Sequence, residues 1–130
     1  MNTNLCAIIV FALMLGHTVN VLSGETMRLS ERDSGSTVEI NVGDELEIVL
    51  PANPTTGFLW EVNSLNSSAL SQGKADYMAN TTAIGSGGFE IKRFQAVTPG
   101  TSIVKLIFHR LFEQNMPPLK TFEVNVIIKK

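Results

Sequence analysis

From Ser36 onward, the chain alternates apolar and polar residues in short runs separated by turn-forming residues. Ser36-Thr37-Val38-Glu39-Ile40-Asn41-Val42 and Glu45-Leu46-Glu47-Ile48-Val49-Leu50 both have period two, and Gly43-Asp44 between them predicts a hairpin. In the next run, Phe58, Trp60 and Val62 share one face while Leu59 and Glu61 share the other. Residues 63–75, rich in Asn, Ser and Gly, predict a loop with room for one helical turn. Asp76 to Thr82 predicts a short strand. Phe89 to Val97 predicts a longer strand, ended by Thr98-Pro99-Gly100. In Thr101 to His109, Val104, Leu106 and Phe108 face one way. In Lys120 to Lys130, Phe122, Val124, Val126 and Ile128 alternate with Thr121, Glu123, Asn125 and Ile127. No stretch after residue 24 sustains a 3.6-residue period. About seven to eight short strands with regular turns predict an all-β, immunoglobulin-like antiparallel β-sandwich, with Trp60 as a core anchor.

Three connections do not read as ordinary turns. Asn53-Pro54-Thr55-Thr56-Gly57-Phe58 joins two strands through a proline, two β-branched hydroxyl residues and a glycine. Pro54 fixes its own φ and keeps Asn53 extended, the threonines have stiff χ1 angles, and Gly57 can take a positive φ. This predicts a stiff, uncharged projection, which fits a structural turn as well as a binding tip. The second connection, around Ile84-Gly85-Ser86-Gly87-Gly88, is pliable. The third runs from Arg110 to Leu119, contains Pro117-Pro118, and begins with the cation-plus-apolar cluster Arg110-Leu111-Phe112. Two strands separate each connection from the next. In an antiparallel sandwich, that count puts all three at one end, where rigid scaffolds carry binding loops.

The leader changes the picture of where the chain works. Residues 1–24 hold no Lys, Arg, Asp or Glu, and Leu5 to Leu15 is apolar throughout. This run is shorter than the roughly 20 residues of a membrane span. With Val21-Leu22-Ser23 as a small-residue cleavage site, residues 1–23 read as a signal peptide and 24–130 as one domain; an uncleaved anchor is the alternative. The implied location is the secretory pathway. The destination would be secreted, periplasmic, or lysosomal or phagosomal, according to the source, with no membrane attachment after the leader is removed. The only cysteine, Cys6, lies in the leader, so the remaining chain has no thiol or disulfide. Asn66-Ser67-Ser68 and Asn80-Thr81-Thr82 make Asn66 and Asn80 candidate glycosylation sites on a eukaryotic route.

Charge and chemistry exclude several classes. With 10 basic and 12 acidic residues, the chain has a formal charge of −2 and no basic excess for nucleic acid. After the leader, His109 is the sole histidine. It has no second His or Cys for a metal site, and no Ser, Thr and acid stand out as its partners in a triad. Gly85-Ser86-Gly87-Gly88 is followed by neither Lys-Ser/Thr nor a helix pattern, so it is not a phosphate loop. The sequence therefore predicts a non-enzyme without cofactor or metal. His109 reads as a strand-end residue beside a loop.

Asn53-Pro54-Thr55-Thr56-Gly57-Phe58 leading into Trp60, then Gly85-Ser86-Gly87-Gly88, then Arg110-Leu111-Phe112, in that order, resembles the chagasin-like inhibitors of papain-type cysteine peptidases. The resemblance covers essentially all of 24–130. It departs from the family's Arg-Pro-Trp pattern at Leu111, which stands for Pro, and at Phe112, which stands for Trp. It implies reversible, non-covalent, 1:1 inhibition by a monomer. The 53–58 loop would enter the active-site cleft, with loops 84–89 and 109–115 gripping its flanks. Thr55 and Thr56 would offer hydroxyls and backbone groups to the peptidase Cys–His pair. The implied contact residues are Asn53, Pro54, Thr55, Thr56, Gly57, Phe58, Gly85, Ser86, Gly87, Gly88, Arg110, Leu111 and Phe112. Because the same fold hosts unrelated functions, a secreted adhesion or carbohydrate-binding module is the competing expectation.

Overall fold

The computed structural model describes residues 24–65, 68–80, 85–113 and 115–130. Cys6, the leader and the first sequon's Asn66 lie outside them, as do Thr81 and Thr82 of the second sequon. Nine strands form among the described residues: β1 (Thr26–Leu29), β2 (Thr37–Asn41), β3 (Glu45–Ala52), β4 (Phe58–Leu65), β5 (Leu70–Gln72), β6 (Asp76–Ala79), β7 (Gly88–Ala96), β8 (Gly100–Arg110) and β9 (Lys120–Lys129). Sheet one runs β1-β3-β7, with β5 and β6 both pairing along the far edge of β7; sheet two runs β2-β9-β8-β4. The period-two patterns explain the layering. Leu46, Ile48 and Leu50 of β3, Phe94 of β7, Trp60 of β4, Val104 and Leu106 of β8, and Phe122, Val124 and Val126 of β9 fill the space between the sheets.

Several sequence expectations are corrected. Gly43-Asp44 is not a hairpin. β2 pairs in parallel with β9, and β3 pairs in parallel with β1 and antiparallel with β7, so the turn carries the chain from one sheet to the other. The Asp44 carboxylate holds this corner by accepting from the amides of Asn41 (2.8 Å) and Glu25 (3.0 Å). The sandwich is therefore mixed at two edges, although its inner pairings are antiparallel as expected. The 63–75 stretch is not a simple loop, because β4 continues to Leu65 and β5 follows at Leu70. The ladder absorbs a register shift between Val62 and Ser64. β1 was not foreseen from sequence.

On the outer face of sheet one, a charge network crosses four strands. Arg28 of β1 and Arg93 of β7 flank Glu47 of β3, to which each donates from Nε, and Arg93 Nη1 also reaches Asp76 of β6 at 2.6 Å. The pairs Arg28–Glu47 and Glu47–Arg93 stand directly opposite in register. Hydrogen bonding from Arg28, then from Arg93, holds the Glu47 carboxyl below its ordinary value of 4.5, against the opposing effect of its burial. Arg93 likewise lowers Asp76. A carboxyl with a depressed folded value stabilises the protein above its unfolded value and loses that contribution as pH falls through the folded one. Stability should therefore decline as pH drops below about 4.5. Glu47→Gln should cost about 1 kcal/mol at neutral pH and flatten the acid decline. Urea melts from pH 6 to pH 3 test this, and parallel slopes for the two proteins would contradict the assignment.

Candidate functional site

The three irregular connections do meet at one end, and the topology explains why. Ala52 of β3 pairs with Gly88 of β7, while Phe58 of β4 pairs with Arg110 of β8. The 53–57 connection leaves sheet one and enters sheet two. It therefore crosses the mouth of the sandwich between the β6–β7 connection on one side and the β8–β9 connection on the other. Asn53 Nδ2 donates to the Gly85 carbonyl at 2.9 Å, and Arg110 Nε donates to the Thr56 carbonyl at 3.0 Å. One central turn thus touches both neighbours.

Pro54–Thr56 forms a single 3-10 turn capped by Asn53, whose Oδ1 accepts from the Thr55 amide (3.2 Å) and the Thr55 hydroxyl (2.6 Å). The Thr56 hydroxyl donates to the Asn53 carbonyl at 2.7 Å, and its oxygen accepts from the Phe58 amide at 3.3 Å. Gly57 closes the turn at φ 84°, in the left-handed region where side chains with a Cβ are strained. Both threonine hydroxyls donate inside the turn, which rigidifies the tip. Pro54, Thr55, Thr56 and Gly57 are all exposed, and none is charged.

The other implied contact residues fall into two groups. Phe58 and Arg110 lie within strands at the base of the tip, and both are half-buried. The Phe58 ring stacks on Phe108 at 5.3 Å, and Phe108 in turn tilts against the buried Trp60 at 4.9 Å, so an aromatic ladder runs from core to tip. Gly88 also belongs to a strand, where it is buried. A Cβ there would sit 2.2 Å from the Met78 carbonyl oxygen, so it permits the close approach of β6 to β7. Asn80, Gly85, Ser86 and Gly87 form the described part of the β6–β7 connection; the Gly87 carbonyl accepts from the Asn80 amide at 3.0 Å. Asn80 itself is exposed. Leu111 and Phe112 project outward, with Phe112 73% exposed, and Met116 and Leu119 extend the same connection as further exposed apolar groups.

Sequence reasoning missed Glu90. It faces inward from β7, on the same side as Phe94, and its Oε2 accepts from the Trp60 amide at 3.1 Å on the open edge of β4. Lys92 sits 3.4 Å from its other oxygen. This bond joins the sheets beside the tip and occupies an amide that an intruding strand would otherwise use. The signal was a pair of charges, Glu90 and Lys92, at the same parity as the inward Phe94. Beside them, Pro54, Leu59, Trp60 and Tyr77 help line a shallow cleft of about 450 Å³. His109 occupies the outer face of sheet two, with Nε2 2.7 Å from a Glu61 carboxylate oxygen; it is nearly buried and part of the β8 ladder, as a strand-end residue should be. Among the described residues, no group of three or more His, Cys, Asp or Glu side chains could hold a metal ion.

Comparison with known proteins places this geometry. Residues 39–126 match the sequence profile described as Chagasin family peptidase inhibitor I42. Chagasin of Trypanosoma cruzi is 31% identical over 88 residues, covering 64% of this chain and 80% of that protein. Amoebiasin-1 of Entamoeba histolytica is 30% identical over 106 residues, covering 79% of this chain and 100% of that protein. The crystal structure of the cysteine protease inhibitor EhICP2 from Entamoeba histolytica superposes with a TM-score of 0.73 at 23% identity, covering 81% of this chain and 96% of that one. The profile spans most of the strands and all three connections at the mouth of the sandwich, and the chain therefore belongs to the chagasin family of peptidase inhibitors.

Proposed function

We propose that this protein inhibits papain-like cysteine peptidases reversibly and without a covalent bond, inserting the 53–57 turn into the active-site cleft while the 85–87 and 111–119 connections contact its flanks. The observation that carries this reading is the uncharged turn, its two threonine hydroxyls bonded internally, held between two other connections at the mouth of a rigid sandwich. A tip whose hydrogen bonds are already made loses little further freedom on binding. A tip without charge brings no unpaired ion into a desolvated cleft. Family membership favours this reading over an adhesion or sugar-binding module. Residues 1–23 act as a leader that is removed on export.

Titration of papain with the folded protein should reach complete inhibition at equimolar inhibitor. The inhibitor should then be recovered with its mass unchanged, starting at Gly24 when made by a secreting host. Folded protein that leaves both papain and a cathepsin L-like enzyme fully active would remove the proposal. An N-terminus upstream of Gly24 would remove only the leader.

A further inference from the structure

Arg110 stands in the implied contact set, yet its surroundings lie within the molecule. Its guanidinium carbon sits 4.3 Å above the centre of the Phe58 ring, a stacked cation–π arrangement. Its Nε donates to the Thr56 carbonyl at 3.0 Å, and its Nη1 lies 3.6 Å from the Glu113 carboxylate. Its Nε, Cγ and Cδ stand within 3.5 to 3.8 Å of where a Gly57 Cβ would be. The side chain is 34% exposed, whereas Phe112 two residues on is 73% exposed. The guanidinium also lies 5.9 Å from the centre of the Phe112 ring, so two rings, one carbonyl and one carboxylate of its own chain already engage this cation.

We propose that Arg110 is a positioning residue: it clamps the 53–57 turn from the side of β8, and exposed neighbours such as Phe112 supply the contact with the peptidase. The inference rests on the inhibitory reading above for its consequence, though not for its geometry. The clamp has a reason to exist. The turn's own hydrogen bonds fix its internal shape, and Asn53 ties it to sheet one through Gly85, but its second leg enters sheet two at Phe58, the residue beneath the guanidinium. Without Arg110, the turn keeps its shape and gains freedom to rock about its strand ends. A tip that occupies its binding pose only part of the time binds more weakly in proportion to that fraction.

Two measurements test this. In the free protein, Arg110→Ala should lower the backbone order parameters of Thr55, Thr56 and Gly57 from about 0.85 toward 0.6, while β9 stays unchanged. Papain inhibition should weaken three- to tenfold by this variant. Arg110→Lys keeps the charge without the planar fork and should restore only part of both. Phe58→Leu, which removes the stacking face, should loosen the same residues, and adding Arg110→Ala to it should weaken inhibition by less than the two single effects combined. Order parameters that do not change, inhibition that does not change, or full rescue by lysine would each overturn the clamp. If the parent inhibits neither papain nor a cathepsin L-like enzyme, the inhibitory reading fails, and the order parameters alone still decide whether Arg110 holds the turn.

Discussion

Gly57→Arg should weaken inhibition of papain by at least tenfold, equivalent to about 1.4 kcal/mol, while the protein remains folded. Two effects combine. Gly57 sits at φ 84°, and placing a Cβ on a left-handed backbone costs roughly 1–2 kcal/mol. The alternative is a shift of the turn that breaks the bond from the Gly57 amide to the Pro54 carbonyl, now 3.0 Å. The arginine also adds bulk and a charge at the tip that the proposed complex desolvates. Space beside the position is not the obstacle, because the atoms nearest to a Cβ there, those of the Arg110 side chain, would lie at ordinary contact distance. Gly57→Ala isolates the backbone strain and should lose less. Inhibition constants with circular dichroism on each variant decide the matter. If Gly57→Arg inhibits as strongly as the parent, the 53–57 turn is not the inserted element.

Trp60→Ala should destabilise the domain by about 3–5 kcal/mol, a large share of the 5–15 kcal/mol that holds a typical domain together. Trp60 is 1% exposed, its ring packs on Phe108, and its Nε1 donates to the Pro51 carbonyl at 3.0 Å. Truncation removes the largest side chain of the core and leaves a partly buried carbonyl without its donor. Because Pro51 and Phe108 also lead to the 53–57 turn and to Arg110, inhibition should weaken alongside stability. Trp60→Phe should keep most of the packing while losing the hydrogen bond, and should fall between the two. Urea denaturation measures both variants; a loss of less than about 1 kcal/mol for the alanine would mean that the core is anchored elsewhere.

Much of this architecture was legible because a half-buried strand writes its face into every second residue. β8 and β9 show the clearest alternation, and their inward residues are the predicted ones. Counting strand reversals also placed the three connections together. Partner choice was less legible. Gly43-Asp44 encodes a tight change of direction, but whether the next strand returns beside the first or crosses to the other layer depends on where Ile40 and Leu46 both find burial. That is a property of the whole sandwich. β1 offers only four residues, too few for a pattern to stand out. At the site, residue types announced stiffness, yet side-chain assignments were hidden. Thr55, Thr56 and Arg110 read from the sequence as groups offered to a partner, and nothing in the sequence announces the bonds they also make within their own chain, to Asn53 and Thr56.

The position of β9 also bears on time. It is the last of the nine described strands, yet it lies between β2 and β8, and its parallel partner β2 is made well before it: Thr37 stands opposite Asn125 and Asn41 opposite Lys129. While the chain is being synthesised, β2 cannot reach its native ladder, and the inward residues of β8 lack the neighbour that covers them. Closure of this sheet waits until β9 has been made, and it brings together segments from opposite ends of the domain. Until then, the chain carries unpaired, apolar strand edges, the form in which it is most open to association with itself.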